Sequence, residues 1–583
     1  MTETMLTRTE PEDIHRLGVS YEDSANEQAQ TNDSRMPAEN SLEALRQHQL
    51  YPRLSAAQID TLRRFSDLQH WTAGEMMFRT GERGLGMCVL ISGTARITRR
   101  DGLGRSHFLV EESDGQFLGE IAQLSGKPWL VDGQAMTEVA GLLISPESLR
   151  ALMVAEAELG EFIMSTLILR RIRLVENGSG PVLLGPSQAP RLVALECFLR
   201  RNGHPYSVVD PHEDTDALAY LEGMAPWRSD FPLVALPDGT VMRDPSEREL
   251  AIKLGLIPKM ESTRVYDVAI VGAGPAGLAA AVYAASEGLS AIVLDARSPG
   301  GQAGASARIE NYLGFPAGIS GQQLADHALV QATKFGAEIA IPVRVQSIGR
   351  TGSSLSLTLE DGQRILTRTV VVATGVAHRR PDISGLDDAD GKGVYYWASP
   401  VEAKLCSGRE VAVVGGGNSA GQAIVYLSRH ASHVHVLVRD RSLESTMSRY
   451  LIERIGELPN ITLHPSTVVG ELTFDGQEVS GINFRTEAGI GTLRLGHVFL
   501  FTGAAPNADW LRPCEVETDE SGFVMTGVRH AGGHGADCLP LETSARGIFA
   551  IGDVRSGSTK RVAAAVGDGA AVIAQIHAFL AQL

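Results

Sequence analysis

Residues 266–295 read YDVAIVGAGPAGLAAAVYAASEGLSAIVLD, and the order of residue types in this stretch decides the fold. An apolar run predicts a buried strand. Gly272-x-Gly274-x-x-Gly277 then turns the chain into a helix of small residues that begins around Pro275 and Ala276, and a second apolar strand ends at Asp295 and Ala296. Glycines at these spacings permit a tight turn, let backbone approach a pyrophosphate and let the helix pack closely on the strand, while the helix N-terminus favours anionic phosphate. Asp295 lies 23 residues after Gly272, where a carboxylate can accept hydrogen bonds from ribose hydroxyls. The stretch therefore predicts a dinucleotide-binding unit in an α/β domain with a parallel sheet.

The unit occurs twice. Residues 409–441, REVAVVGGGNSAGQAIVYLSRHASHVHVLVRDR, carry Gly415-x-Gly417-x-x-Ala420, with Asn418 and Ser419 at the start of the second helix. The same 23-residue count from Gly415 reaches Val438, followed by Arg439 and Arg441. With no acid to hold a free 2′-hydroxyl and cations beside the position, a 2′-phosphate is the better fit, so NADPH is expected rather than NADH. His433 and His435 share a strand at a spacing of two. No third ligand is apparent, and they read as surface or packing residues rather than a metal site.

Beyond the two fingerprints, the chain carries Gly300-Gly301-Gln302, IENYLGFP with Asn311, VVVATGVAHRR with Thr374 and Gly375, and GIFAIGDVRSGSTKRVAAAVGDGA near the C-terminus. On these motifs residues 264–583 resemble the bacterial-type, low-molecular-weight thioredoxin reductases. The resemblance implies FAD bound by a split unit, 264–376 plus 503–583, with an NADPH domain at 377–502 inserted between. It implies that Gly552 and Asp553 meet the flavin ribityl or phosphate region. A helix from about Arg561, through Val562 and Ala563, would then turn its N-terminal dipole to the ring edge where charge gathers on reduction.

One motif is missing. In the resembled family a Cys-x-x-Cys followed by an acid precedes the second fingerprint; here the gap-free counterparts are Ala398 and Val401, with the acid at Glu402. Internal electron relay in such a reductase runs through that dithiol, so the hydride half-reaction is expected without the relay. Glu402 reads either as a proton donor near the flavin or as a surface helix carboxylate. Cys406 is the nearest thiol and is expected at the start of the next strand, with no mate. The five cysteines, 88, 197, 406, 514 and 538, include no C-x-x-C and no zinc spacing.

Upstream, residues 1–40 are polar and poor in large apolar groups and are expected to be a disordered tail. Residues 41–177 alternate short strands with glycine turns and end in helices near 146–156 and 158–176. They resemble cyclic-nucleotide-binding domains, a β-barrel plus helices. Gly119 and Glu120 keep the places that would meet a sugar hydroxyl, but Trp129 stands for the arginine that pairs with the cyclic phosphate, and Asp132 for a small hydroxyl residue. Loss of that charge-assisted pair weakens anion binding. Residues 181–260 resemble a thioredoxin- or glutaredoxin-like fold whose active-site loop reads GPSQAP, without cysteine; Phe231-Pro232 stands at its cis-proline position, and Cys197 is expected in the helix core. A docking or dimer-contact module is the expected role.

The net charge of −17 without a Lys/Arg cluster argues against a nucleic-acid surface. No secretory start is evident, and no apolar run approaching the roughly 20 residues of a membrane helix is expected, so the chain is placed in the cytoplasm. Together these readings predict an NADPH-dependent FAD oxidoreductase whose reduced flavin serves a small-molecule or redox-protein acceptor, in a homodimer. Two alternatives stand: a reductase acting on a partner disulfide, and a redox-sensing regulatory protein.

Overall fold

The computed structural model describes residues 49–583 except 177, 179, 187–188, 212–213, 215–230, 259, 262, 390–391, 399, 477, 515 and 528–537. The tail predicted at residues 1–40 lies outside the described residues.

The strand Val265–Val271 runs parallel to Ala291–Leu294 on one side and to Arg364–Val372 on the other. Glu338–Ala340 and Ile548–Ala550 extend the parallel sheet at its two sides. Apart from Asp267, Glu338, Arg364, Thr367, Arg368 and Thr369, these strands are apolar, because both faces of the sheet are covered. Val268, Ile270 and Val293 face the helices Pro275–Ser286 and Val562–Leu580, while Ala269, Val271 and Leu294 face a second core with Leu357 and Leu511. Small residues in the first helix let the last helix lie against it: a Cβ on Gly569 would stand 2.5 Å from the Ala276 carbonyl oxygen. Segments nearly two hundred residues apart thus close one sheet.

The helix Val562–Leu580 corrects one expectation, because by length and composition it is apolar enough to cross a bilayer. Val572, Ile573, Ile576 and Phe579 on this helix are buried in the core beside the first sheet, which accounts for its apolar sequence.

Between those segments lies a second parallel sheet. Its strands run Val394–Tyr395, His497–Leu500, Glu410–Val414, His433–Leu437 and Ile461–His464. A three-stranded antiparallel sheet, Val468–Asp475, Glu478–Thr486 and Gly489–Leu493, packs beside it. The chain leaves the first sheet and returns to it through two short strands, Val376–His378 and Ala504–Pro506, paired antiparallel.

The N-terminal part consists of two four-stranded antiparallel sheets followed by the helices Pro146–Ala155 and Ala157–Glu176. In the middle part, Val182–Leu184 pairs parallel with Ser207–Val209 and antiparallel with Leu233–Ala235, which forms a hairpin with Val241–Arg243. The Phe231–Pro232 bond is cis. Residues 215–230, between the second and third of these strands, lie outside the described residues.

Candidate functional site: two nucleotide loops and the segment between them

At the first loop Gly272 adopts φ +112, and a Cβ there would stand 2.3 Å from the Ala373 carbonyl oxygen. A Cβ on Gly277 would come within 1.9 Å of the Gly272 carbonyl oxygen. Both glycines are therefore required by the turn itself. Gly274 differs: a Cβ there would meet nothing within 4 Å. It is the N-cap of the helix Pro275–Ser286, with no side chain capping the first turn. An uncapped helix start facing open space is the cradle a pyrophosphate needs, so the chain fits a dinucleotide here.

Asp295 folds back on this loop. Its carboxylate accepts from the Ala273 N–H at 2.8 Å and from the N–H groups of Arg297 and Ser298 at 2.9 and 3.2 Å. Ala296 lies in the same turn. Gly301 lies against the loop, since a Cβ on it would stand 3.2 Å from Gly274 Cα. The Gln302 side chain donates to the Val376 carbonyl at 2.6 Å. Thr374 and Gly375 are tied to the returning chain: the Thr374 hydroxyl donates to the Asn507 carbonyl, and the Asn507 amide donates back to the Thr374 carbonyl. Asn311 is exposed, in a bend outside regular secondary structure.

At the same end of the sheet, where a Cβ on Gly552 would stand 2.9 Å from Ala276 Cβ, the Gly552 N–H donates to Asp568 at 3.0 Å, and Arg555 pairs with the same carboxylate. Asp553 follows; burial pushes its carboxyl above the usual range, while nearby Lys560 pulls the other way. Arg561 caps the long helix without a side-chain bond, leaving the N–H groups around Val562 and Ala563 free of a side-chain cap.

The second loop repeats the geometry. A Cβ on Gly415 would stand 2.4 Å from the Phe501 carbonyl oxygen, whereas Gly417, N-cap of Asn418–Leu427, faces open space. Ala420 is buried where the first loop has Gly277, and Ser419 lies in the helix's first turn. Two residues with no sequence signal close this loop: the Thr446 hydroxyl donates to the Gly416 carbonyl at 2.7 Å, and the Ser448 N–H donates to the Asn418 side chain at 2.7 Å. Arg439 and Arg441 stand at the end of the neighbouring strand with side chains 84% and 90% exposed, touching Asp440 and Glu487 only at 3.8 and 4.0 Å. Both are available to a phosphate. His433 and His435 are joined by His464 and Glu410 across three strands, and no group that could hold a metal occurs among the described residues.

The segment that would carry a dithiol forms the short helix Pro400–Leu405. Glu402 is buried there, against the surface reading, and accepts from Trp397 Nε1 at 2.9 Å. Cys406 ends that helix rather than beginning the next strand, which starts at Glu410. Cys197 is also displaced from expectation: it lines a cleft beside Glu402 instead of packing in the core of its own domain. All five cysteines are free. Burial pushes Cys197 up to about 12, with the Glu402 charge adding to it, and pushes Cys406 up to about 11.

In the barrel, Trp129 is buried and stacks on Phe78 with ring centres 3.9 Å apart. Asp132 turns away to accept from the Thr80 N–H at 2.8 Å and to pair with Arg100, so it does not add a carboxylate to the pocket. Glu120 is engaged with the Ala122 N–H and Arg171. The cavity that remains is about 60 Å³.

A family model described as pyridine nucleotide-disulphide oxidoreductase matches residues 266–569. A second, for the cyclic nucleotide-binding domain, matches residues 68–156. The chain is 32% identical over 317 residues to a thioredoxin reductase of Ureaplasma parvum, covering 54% of this chain and 96% of that protein. It is 31% identical over 308 residues to a thioredoxin reductase of Listeria innocua, covering 52% and 91%. Among solved structures, the T. acidophilum thioredoxin reductase superposes with a TM-score of 0.50 at 30% identity, covering 54% of this chain and 98% of that one. The Lactococcus lactis thioredoxin reductase in its FR conformation gives 0.50 at 29%, covering 55% and 100%.

Proposed function

Because the chain belongs to the pyridine nucleotide-disulphide oxidoreductase family, on its thioredoxin reductase branch, we propose that it is an NADPH-dependent FAD oxidoreductase working without a dithiol. Electrons would pass from the reduced flavin directly to an external acceptor. The observation that carries this reading is the pair of open, uncapped helix starts at Gly274 and Gly417, joined through a segment whose sequence has no Cys-x-x-Cys.

Each part of the site has a task in this reading. Gly272, Gly274 and Gly277 admit the FAD pyrophosphate, and Asp295 shapes the loop that receives it. Gly415, Gly417 and Ala420 do the same for NADPH, whose 2′-phosphate meets Arg439 and Arg441. Bound FAD would supply hydride acceptance and onward electron transfer. The residues around Asp553 and the start of the helix Val562–Leu580 would favour the negative charge of the reduced ring through the helix dipole. Nicotinamide and flavin must stack for hydride transfer, and the two paired strands Val376–His378 and Ala504–Pro506 are where the nucleotide domain can turn to bring them together. A homodimer belongs to the reading by the family likeness.

Anaerobic addition of NADPH to the purified yellow protein tests it. Loss of the flavin absorbance supports the enzyme reading. Retention of the absorbance contradicts it and favours a regulatory protein.

A further inference from the structure

A cavity of about 1070 Å³ lies where three parts of the chain meet: the helix Pro190–Arg201, the loop after the first nucleotide site, and the segment that lacks the dithiol. Neither glycine loop lines it. Drug-sized ligands occupy cavities of about 300–1,000 Å³, so a nucleotide has room.

Its walls are positive. Six lining residues are Arg or Lys and three are Glu, an excess of three positive charges. Arg201, Arg297, Lys392 and Arg409 form an ion pair with no carboxylate among the described residues. Arg201 and Arg297 are moreover held beside each other by backbone contacts. Arg201 donates to the Gly301 carbonyl at 2.7 Å, the Gln322 amide donates to the Arg201 carbonyl at 3.1 Å, and Asn202 donates to the Arg297 carbonyl at 3.1 Å. Burial lowers the Arg201 guanidinium below its usual range, and the Arg297 charge adds to that while Asp295 opposes it. Like charges fixed together out of water are unfavourable until an anion joins them.

The polar atoms point the same way. Arg201 Nε, Ser298 Oγ and the Tyr396 hydroxyl are buried without a hydrogen-bond partner, and their residues all line the cavity. Each is a donor, so what they lack is acceptor oxygens. A phosphate supplies three, and a terminal phosphate carries about 1.5–2 negative charges at about pH 7. Beside these donors stands an aromatic plane. The Trp397 ring is fixed by its bond to Glu402, with Arg297 5.9 Å from its centre. Indole and guanidinium planes both stack on flat rings.

We propose that this cleft is a third nucleotide site, taking a nucleoside diphosphate with its base against Trp397 and Arg297 and its phosphates among the four unpaired cations. Arg297 precedes the paired strands Val376–His378 and Ala504–Pro506 through which the chain leaves and re-enters the first sheet, while Lys392 and Arg409 lie between them, so the ligand touches both sides of that connection. The site does not depend on the electron path.

The test titrates ADP into the FAD-loaded protein without NADPH, followed by calorimetry and by quenching of Trp397 fluorescence, which Trp397→Phe identifies. ADP should bind and quench. Adenosine and inorganic pyrophosphate, each carrying half of the recognised chemistry, should bind at least about tenfold more weakly. Arg297→Gln combined with Lys392→Gln should weaken ADP binding about tenfold or more, the effect of losing at least one charge-assisted contact. Tyr396→Phe keeps every charge and removes only the unpartnered hydroxyl. It should melt no lower than the wild type, yet bind ADP about fivefold more weakly. Gly417→Ala, at the second nucleotide loop, should leave the quenching titration within about twofold. Absence of quenching at about 1 mM ADP, where even weak sites fill, overturns the proposal. So does equal affinity for pyrophosphate, binding only to the FAD-free protein, or quenching lost on Gly417→Ala but kept in the double variant.

Discussion

Glu112 and Arg170 face each other inside the N-terminal barrel at 3.2 Å, both almost wholly buried. Arg170 comes from the helix Ala157–Glu176 and reaches in to donate to the carbonyls of Leu50, Phe117 and Gly119. Burial nonetheless pushes the Glu112 carboxyl up to about 7, with Arg170 opposing the shift. An acid whose folded-state value exceeds its ordinary 4.5 holds its proton more tightly when folded. Stability therefore falls as pH rises from about 4.5 to about 7, at a slope of about 1 kcal/mol per pH unit where steepest. Glu112→Gln should flatten that slope, read by thermal unfolding between about pH 4 and about pH 8, a range that brackets the shift.

The same packing predicts that the barrel does not take a cyclic nucleotide. A cavity of about 60 Å³ is far below the roughly 300 Å³ at which small-molecule sites begin, and the Trp129–Phe78 stack stands where a phosphate partner would be needed. Calorimetric titration with cyclic AMP and cyclic GMP should give no heat above dilution. Tight binding of either would mean that Arg170 and Trp129 vacate the pocket.

The two kinds of glycine in each loop separate folding from cofactor binding. Gly277→Ala would push a methyl group against the Gly272 carbonyl oxygen, with an overpacking cost of about 1–3 kcal/mol or more, and should lower the melting temperature of even the FAD-free protein. Gly274→Ala places its methyl group in open space. It should fold as the wild type when stripped of flavin, yet retain much less FAD on gel filtration. Equal melting temperatures for the two apo variants would contradict the assignment.

Arg439, almost fully exposed beside the second loop, should matter only to the extra phosphate. Arg439→Ala is expected to raise KM for NADPH about tenfold, near 1.4 kcal/mol, and to leave KM for NADH within about twofold. Steady-state rates with each nucleotide measure the ratio; equal shifts would remove NADPH as the favoured donor.

The nucleotide loops were legible because their physics is local. Gly272 and Gly415 are demanded by carbonyl oxygens a few ångströms away, and Gly274 and Gly417 by the approach of a ligand, and a short sequence records both. Partners supplied by distant chain left no mark: Thr446 and Ser448 close the second loop, and Asp568 holds Gly552, through folding alone. Cys197 was misplaced for a related reason. Helical periodicity identifies a covered face but not what covers it, and here the cover is the cleft around Glu402 rather than the domain's own core. Glu402 is readable from the sequence either as a proton donor or as a surface acid, and only the contact with Trp397 shows it to be buried.

If no sulfur pair takes part in the electron path, the stoichiometry of the anaerobic NADPH titration reveals it, followed by flavin absorbance with free thiols counted before and after. A flavin acting alone stores two electrons, so about one equivalent of NADPH should complete the bleaching and leave the thiol count unchanged. Consumption of about two equivalents with the appearance of two new thiols would contradict the account and point to Cys197 and Cys406, which share the field of Glu402, as a disulfide that forms in the oxidised protein.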